Sequence, residues 1–141
     1  MLAIDHDYLT RTLRALVRIN SVNPVLDPTA PGERDIAEYV GRAMGALGCV
    51  VTYHEPQPGR GSVVARLGGS RPGRALMLNA HIDTVDVGGM PEPFSGDIRD
   101  GRLYGRGAFD MKGGLAGMMA AMKALADAGR PHGGEVLLAG V

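Results

Sequence analysis

The sequence predicts an α/β domain with a mixed central sheet flanked by helices, and three observations lead to this class. Two amphipathic helical segments come first, and the apolar period then changes to that of strands after residue 48. A further helical stretch lies between two short apolar runs near the end of the chain. That order favours parallel core strands joined by a helical crossover.

The first two helices are predicted from their apolar spacing. Residues 7–19 carry leucine and valine at helical intervals, and Asp5 or Asp7 is available as the N-cap. A loop with several prolines follows. Residues 33–47 repeat the helical pattern, and Gly48 stands where a left-handed C-cap is expected.

The next segments are predicted to be strands. Residues 49–55 and 62–68 are rich in β-formers, and the proline- and glycine-containing segment between them predicts a hairpin connection. The run 75–82 is almost continuously apolar, which is typical of a strand covered on both faces. Further along, the pair Asp100-Gly101 between strand-like residues predicts a small hairpin.

The last two elements are a helix over residues 111–129 and an apolar strand over residues 135–141. Methionine and leucine recur at helical steps, which indicates a core-facing stripe rather than a methionine metal site. Because no later strand follows in this sequence, we expect the last strand to leave an unprotected sheet edge. We also expect the isolated chain to be marginally stable or to associate.

Composition and charge exclude several classes of protein. Lys+Arg and Asp+Glu number 15 each, so the formal net charge is zero and nothing favours nucleic acid or an anionic membrane as a partner. We expect neither a signal peptide nor a membrane span. The single cysteine, Cys49, excludes an internal disulfide and is expected to be a buried thiol. These features predict a soluble, cytoplasmic protein.

The first candidate site lies in the segment "LMLNAHIDTVDVGG", where an apolar run ends in His81 and Asp83 follows two places later. Alternate side chains of a strand point to the same side, so the two groups are expected to lie together. Ligands of open α/β sheets bind beyond the carboxyl ends of strands. A histidine that binds a metal commonly has its other nitrogen held by a carboxylate. The alternative is a hydrogen-bonded, solvated strand end.

The second candidate is Asp110 in "GRGAFDMKGG", just ahead of the third predicted helix. Its simplest interpretation is a helix N-cap, where free N–H groups favour a carboxylate. The glycines around it argue for close packing at a site, because each costs roughly 0.5–1 kcal/mol relative to alanine within a helix. The segment matches neither the dinucleotide-binding glycine pattern nor a P-loop, and the chain has no G-x-S-x-G motif.

Taken together, "SVNP", "NAHIDTV" and "PFSGDIRDGRLYGRGAFDMKGGLAG" resemble one family of zinc amidohydrolases. The family includes acetylornithine deacetylase, succinyl-diaminopimelate desuccinylase, aminoacylase and glutamate carboxypeptidase. The resemblance runs from Leu9 onward and implies a zinc-exopeptidase-like catalytic domain. It implies metal-dependent hydrolysis of an N-acyl-amino-acid amide or peptide bond.

By the same resemblance, His81 is a ligand of one zinc ion, Asp110 bridges two, and Asp83 orients His81 and counts as catalytic. A complete site would hold two zinc ions, with cobalt as an alternative. The implied partner is a small N-acyl amino acid or peptide, and the full-length enzyme is a candidate homodimer. Which acyl amino acid or peptide is hydrolysed stays open.

The resemblance also implies that residues 1–141 are only the N-terminal part of a truncated catalytic domain. In this family a pair of glutamates, a general base and a metal ligand, follows a strand like "EVLLAGV", and this sequence contains no such pair. The remaining ligands, the lid or dimerisation domain and the rest of the catalytic domain would lie beyond it. We therefore expect this chain alone to be inactive.

Two alternatives remain open at the level of sequence. The chain could be a non-catalytic truncated module that acts only in folding or association. It could also be an interaction domain unrelated to metal, in which His81 contributes only local hydrogen bonds. His6, His54 and His132 are expected to be solvated surface groups rather than substitute ligands.

Overall fold

The computed structural model describes residues 2–141 and confirms the predicted order of elements. The helices are α1 (His6–Arg18), α2 (Arg34–Ala46) and α3 (Gly113–Asp127). The strands are β1 (Val50–His54), β2 (Ser62–Gly68), β3 (Arg71–Ala80), β4 (Ile98–Arg99), β5 (Arg102–Leu103) and β6 (Gly133–Gly140). An irregular turn, Ala108–Lys112, leads directly into α3, and Asp110 and Met111 within it have non-helical backbone angles. None of the helices within residues 2–141 is long and apolar enough to cross a membrane.

The main sheet has the strand order β1-β2-β6-β3. β2 pairs antiparallel with β1 and with β6, whereas β3 pairs parallel with β6, so the central sheet is mixed as predicted. The parallel pair is connected through α3, which is the predicted helical crossover. β4 and β5 form a separate hairpin, and Asp100 and Gly101 at its tip have φ values of 51° and 74°. Those values are what a two-residue primed turn requires.

Local sequence signals explain where the helices begin and end. The Asp5 carboxylate accepts a hydrogen bond from the Tyr8 N–H at 2.8 Å, which makes Asp5 the N-cap of α1. Gly48 and Gly129 follow α2 and α3 with φ values of 79° and 75°, as left-handed helix ends require. The two glycine ends agree with the prediction from residue type, and the structure selects Asp5 over Asp7 as the N-cap.

All three helices pack on one hydrophobic core. Alternate residues of β2 are fully buried in it, together with apolar side chains of each helix; the cluster includes Leu16, Ile36, Val63, Ala65, Leu67, Leu115, Met119 and Met122. Full burial of one such large side chain contributes roughly 1.5–3 kcal/mol. The methionine stripe of α3 is therefore a core face, as predicted.

The prediction that the last strand leaves an unprotected sheet edge is wrong. β6 lies in the middle, between β2 and β3, and the strands at the two edges are β1 and β3. The run 75–82, expected to be covered on both faces, mostly belongs to the edge strand β3, where Leu76 is 57% and Met77 55% exposed. Apolar composition cannot show this difference, because strand order is decided by how the crossover returns to the sheet.

The exposed β3 edge predicts self-association of the isolated chain. Unpaired backbone groups and apolar side chains along a long edge strand form a template for pairing with another copy. We expect the apparent mass to rise with protein concentration, and we expect Met77→Lys to reduce this rise without lowering thermal stability. Size-exclusion chromatography with light scattering checks the first expectation and thermal unfolding the second. A wild-type chain that stays monomeric at every concentration contradicts the prediction.

Lys112 is a charged residue buried beneath the turn before α3, with 1% of its surface exposed. Its Nζ donates hydrogen bonds to the backbone oxygens of Leu16 at 2.9 Å and Ile19 at 2.8 Å. These carbonyls belong to the C-terminal end of α1, where a cation is favoured. Lys112 therefore ties the turn that follows Ala108 to the end of the first helix.

Replacing Lys112 with methionine is expected to lower the free energy of unfolding by about 2 kcal/mol, because the Leu16 and Ile19 oxygens lose the hydrogen bonds from a charged donor. Lys123→Met is the matched control, since Lys123 makes surface ion pairs with Asp5 and Asp127. Its expected cost is below about 1 kcal/mol. Denaturant unfolding of both variants measures the difference, and equal costs would contradict the role assigned to Lys112.

Candidate metal centre

His81 and Asp83 follow the carboxyl end of β3 in extended backbone that continues the strand pairing. The Ile82 N–H donates to the Val141 oxygen at 2.8 Å, and Val22 and Thr84 form a parallel bridge. Ile82 and Thr84 are buried, whereas the side chains of His81 and Asp83 are 43% and 28% exposed. The alternation places His81 and Asp83 on the same, solvent-facing side, as predicted.

The His81 ring is held between two carboxylates. Its Nδ1 lies 3.1 Å from Asp83 Oδ1 and 3.2 Å from the Asp83 backbone oxygen. Its Nε2 lies 2.9 Å from Oδ1 of Asp110. The structure therefore brings together all three residues that the sequence singled out.

Asp110 reaches His81 because the backbone before α3 is not regular helix. Asp110 has φ −119° and ψ 105°, which is extended rather than helical backbone. The helix-cap alternative is wrong: Lys112 is the N-cap residue of α3, and the Asp110 carboxylate contacts His81 instead. This extended residue turns the carboxylate away from the helix and toward the end of β3.

Close packing explains some of the glycines in this segment. A Cβ on Gly107, which has φ 79°, would lie 2.7 Å from Thr84 Cγ2. A Cβ on Gly113 would lie 2.7 Å from the Ala108 oxygen. Nothing within 4 Å faces a side chain at Gly117, so packing among residues 2–141 does not account for that glycine.

The three residues line a cleft of about 350 Å³. Its wall includes Met90 and Phe109, and Phe109 is 97% exposed. Arg106 adds a positive charge, and its Nε is buried without a hydrogen-bond partner among the described residues. Sequence reasoning assigned no role to Arg106, although it stands in the same glycine-rich segment as Asp110.

The two carboxylates raise the pKa of His81. Partial burial by itself lowers this pKa, but the hydrogen bonds to Asp110 and to the Asp83 backbone, together with both negative charges, outweigh burial and raise it above its usual value. Opposite charges at hydrogen-bond distance favour the protonated ring. The two carboxylates thus stabilise the protonated His81 ring.

A second layer of polar groups lies behind Asp83, and sequence reasoning missed it. Asn23 Nδ2 donates to Asp83 Oδ2 at 2.8 Å. Arg60 Nη1 donates to Asn23 Oδ1 at 3.2 Å, and Arg60 Nε donates to Glu33 Oε2 at 2.8 Å. The "SVNP" segment, which carries Asn23, was the only signal in the sequence.

The remaining histidines and the cysteine lie outside this constellation. His6 and His54 are exposed, as predicted, but His132 is half-buried, with Nε2 3.4 Å from the Leu67 oxygen. Cys49 is a buried free thiol, and burial raises its pKa. Within residues 2–141 no group of three or more His, Cys, Asp or Glu side chains is placed to hold a metal ion.

The donors that are present suit a metal in part. An imidazole nitrogen and a carboxylate oxygen are both ligand types that zinc accepts, and the other imidazole nitrogen is held by a carboxylate in the usual supporting arrangement. A catalytic zinc ordinarily has three protein ligands, and here two side chains converge. Among residues 2–141, His81 Nε2 and the Asp110 carboxylate are therefore two donors of the types that a zinc site uses.

Comparison with known proteins agrees with the motifs and the fold. The model of peptidase family M20/M25/M40 matches residues 77–141. A deformylase of N-formyl-4-amino-5-aminomethyl-2-methylpyrimidine from Halalkalibacterium halodurans is 39% identical over 119 residues, covering 80% of this chain and 28% of the relative. Succinyl-diaminopimelate desuccinylase from Methylorubrum extorquens is 37% identical over 137 residues, covering 94% of this chain and 34% of the relative.

Solved structures share the fold. An M20 family metallo-carboxypeptidase from Sulfolobus solfataricus superposes with a TM-score of 0.77 and 26% identity, over 93% of this chain and 30% of the other. Human carnosine dipeptidase 1 superposes with a TM-score of 0.72 and 21% identity, over 94% and 31%. A dinuclear metal binding peptidase from Bacillus subtilis gives 0.67 and 18%, over 96% and 34%.

The chain spans about a third or less of the curated relatives it matches, 28% and 34% of the two compared above. The match nevertheless includes the strand end with His81 and the turn with Asp110, which lie inside residues 77–141. The motifs, the mixed sheet and these relatives together confirm the resemblance, and residues 77–141 match peptidase family M20/M25/M40.

Proposed function

We propose that the chain contributes the first metal ligands of a zinc-dependent amide hydrolase, with His81 and Asp110 as the ligands. One observation carries the proposal: the His81 ring is held by Asp83 at Nδ1 while its Nε2 meets the Asp110 carboxylate. A solvated strand end does not need a partner on both nitrogens. The third group, Asp83, orients the ring and belongs to the catalytic set.

The metal would be held by His81 Nε2 and by Asp110. The Asp110 side chain is 80% exposed, so its carboxylate is accessible to a second ion, in line with the dinuclear description of the Bacillus subtilis neighbour. When bound, zinc polarises an amide carbonyl and lowers the pKa of a coordinated water. Cobalt is an alternative to zinc with the same donor types.

The other residues of the cleft would receive the substrate. Met90 and Phe109 offer apolar contacts, and Arg106 offers a positive charge to a carboxylate or carbonyl oxygen. The relatives are described as a desuccinylase, a deformylase and a dipeptidase, whose names share the cleavage of a C–N amide bond. We therefore assign a small N-acyl amino acid or peptide as the substrate class.

We further propose that residues 1–141 are the N-terminal part of the catalytic domain. The coverage of the relatives and the two converging donors support this assignment. Hydrolysis would then need ligands and a general base from outside these residues, and the full-length enzyme would be the form that could dimerise. Location in the cytoplasm belongs to the same proposal.

A second candidate is a non-catalytic module that acts in folding or association. It is favoured by the lack, within residues 2–141, of three side chains that could hold a metal together. The two candidates differ at His81, because only the first requires this side chain to bind zinc. Zinc binding therefore separates them.

Calorimetric titration of the chain with zinc is expected to show a weak site that His81→Ala and Asp110→Ala each abolish. The site is weak because two protein donors bind less tightly than three. His54→Ala is the matched control, since His54 is an exposed histidine of β1, and it should leave the affinity unchanged.

Two results would change this conclusion. Identical zinc binding by the wild-type chain and by His81→Ala would overturn the metal assignment and favour the non-catalytic module. Hydrolysis of N-acyl amino acids by the wild-type chain with zinc or cobalt, lost in Asp110→Ala, would show that the chain completes its own site, for example through association.

The metal-free chain makes a separate prediction about pH. The pKa of His81 is raised, so its pairing stabilises the fold fully below the unfolded-state pKa of histidine, and this contribution is lost as the pH rises through the folded value. NMR titration should give a higher pKa in the wild type than in Asp110→Asn. Asp127→Asn is the control, because Asp127 pairs with Lys123 on α3. A pKa that Asp110→Asn leaves unchanged would contradict the observed pairing.

A further inference from the structure

A chain of side-chain hydrogen bonds connects the start of α2 with His81. Arg60 Nε donates to Glu33 Oε2 at 2.8 Å, and Arg60 Nη1 donates to Asn23 Oδ1 at 3.2 Å. Asn23 Nδ2 donates to Asp83 Oδ2 at 2.8 Å, and Asp83 Oδ1 lies 3.1 Å from His81 Nδ1. This series of hydrogen bonds thus joins four separate segments: the Asn23 loop, the start of α2, the segment with Arg60 and the end of β3.

The chemistry of these groups fixes the direction of every bond. A guanidinium only donates, so Arg60 must meet the oxygen of the Asn23 amide. The Val25 N–H donates to the same oxygen at 2.9 Å, so a flipped Asn23 amide would lose two hydrogen bonds. The Asn23 NH₂ group is therefore turned toward Asp83.

The orientation of Asn23 has a consequence for His81. An ionised carboxylate only accepts hydrogen bonds, and one oxygen of Asp83 is occupied by the Asn23 NH₂ group. The other oxygen and the Asp83 backbone oxygen both face His81 Nδ1, and both favour the hydrogen on this nitrogen. Asp110 Oδ1 favours a hydrogen on Nε2 in the same way, so Asp83 selects the tautomer of the neutral ring only where Asp110 is replaced or is occupied by a metal ion. With the hydrogen on Nδ1, the lone pair of a neutral ring lies on Nε2.

Contacts with buried residues hold the series of hydrogen bonds in place at both of its ends. Glu33 is 2% exposed, and the Arg60 guanidinium is the partner of its carboxylate. The Asn23 backbone N–H donates to the Thr84 oxygen at 2.9 Å, which joins the loop to the residue after Asp83. Neither Asn23 nor Arg60 can shift without breaking a contact to the buried framework.

We propose that Asn23 and Arg60 are positioning residues. They act through Asp83 to keep the hydrogen of His81 on Nδ1, which leaves the lone pair of Nε2 free to bind a metal ion. The metal-ligand role of Nε2 rests on the proposed function, whereas the hydrogen-bond chain can be tested without metal. Neither residue touches the Nε2 side of the ring, so both act at a distance.

The test is the imidazole ¹⁵N spectrum of the metal-free chain, recorded where the His81 ring is neutral. All variants carry Asp110→Ala, so that the Asp83 carboxylate is the one carboxylate left beside the His81 ring. The double variant Asp110→Ala/Asp83→Ala then gives the reference spectrum of a ring without either carboxylate. Asn23→Asp keeps an oxygen for Arg60 and Val25 but removes the donor to Asp83. We expect it to move both ring shifts most of the way to the Asp83→Ala values, and Arg60→Met to move them in the same direction.

Arg34→Met is the matched control, because Arg34 pairs with Glu55 near the same β1–β2 connection and has no bond to Asn23. It should leave the His81 shifts in place. If Asn23→Asp does not fold, Asn23→Ser tests the same donor, since serine can keep the local turn but lacks the NH₂ group. Unchanged shifts in the folded Asn23 and Arg60 variants would overturn the proposal, as would an Asp83→Ala spectrum equal to its parent.

Zinc affinity provides the second readout, in chains that retain Asp110. Loss of a group that supports a ligand typically lowers metal affinity about 10–100-fold, and we expect this range for Asn23→Asp. No further loss is expected in an Asp83→Ala chain, because the effect passes through Asp83. An equal loss in both backgrounds would overturn the proposal. A wild-type chain that binds no zinc would contradict the proposed function, while the ¹⁵N spectra still decide the positioning role.

Discussion

The parallel pairing of β3 with β6 is the constraint on which the rest of the structure depends. A parallel pair needs a crossover, and α3 supplies it between the two strands. The loop that enters this crossover must pass the carboxyl end of β3, where His81 stands. Asp110 lies in that loop, so the same connection that completes the sheet also brings the second carboxylate to the histidine.

The candidate site is exposed at Asp110 and is supported by side-chain hydrogen bonds behind Asp83. Asp110 and the Nε2 side of His81 face solvent, whereas Asp83 is backed by Asn23, Arg60 and the buried Glu33. Supporting groups of this kind decide the orientation and basicity of a ligand. A buried lysine plays a comparable structural part on the other side, since Lys112 attaches the Asp110 turn to the end of α1.

The edge strand β3 shows how fold and function meet in this chain. Its apolar side chains are half-exposed although its sequence is typical of a covered strand, and the chain spans about a third of the relatives compared. The same strand ends in the candidate ligand, so any partner that covers this edge would lie close to the site. Association through β3 and ligand binding at the candidate site would therefore involve the same region of the molecule.

Sequence by itself determined the element order, the helix ends and the residues of the candidate site. Asp5, Gly48 and Gly129 act through local backbone geometry, and His81 and Asp83 share a side because of strand alternation, so both features are visible without tertiary contacts. Tertiary structure decided the strand order, the exposure of β3 and the contact of Asp110 with His81. The strand order and the exposure of β3 depend on how the crossover through α3 returns to the sheet. The position of Asp110 depends on the irregular turn Ala108–Lys112. The Asn23–Arg60 chain joins distant segments, and no local pattern encodes it.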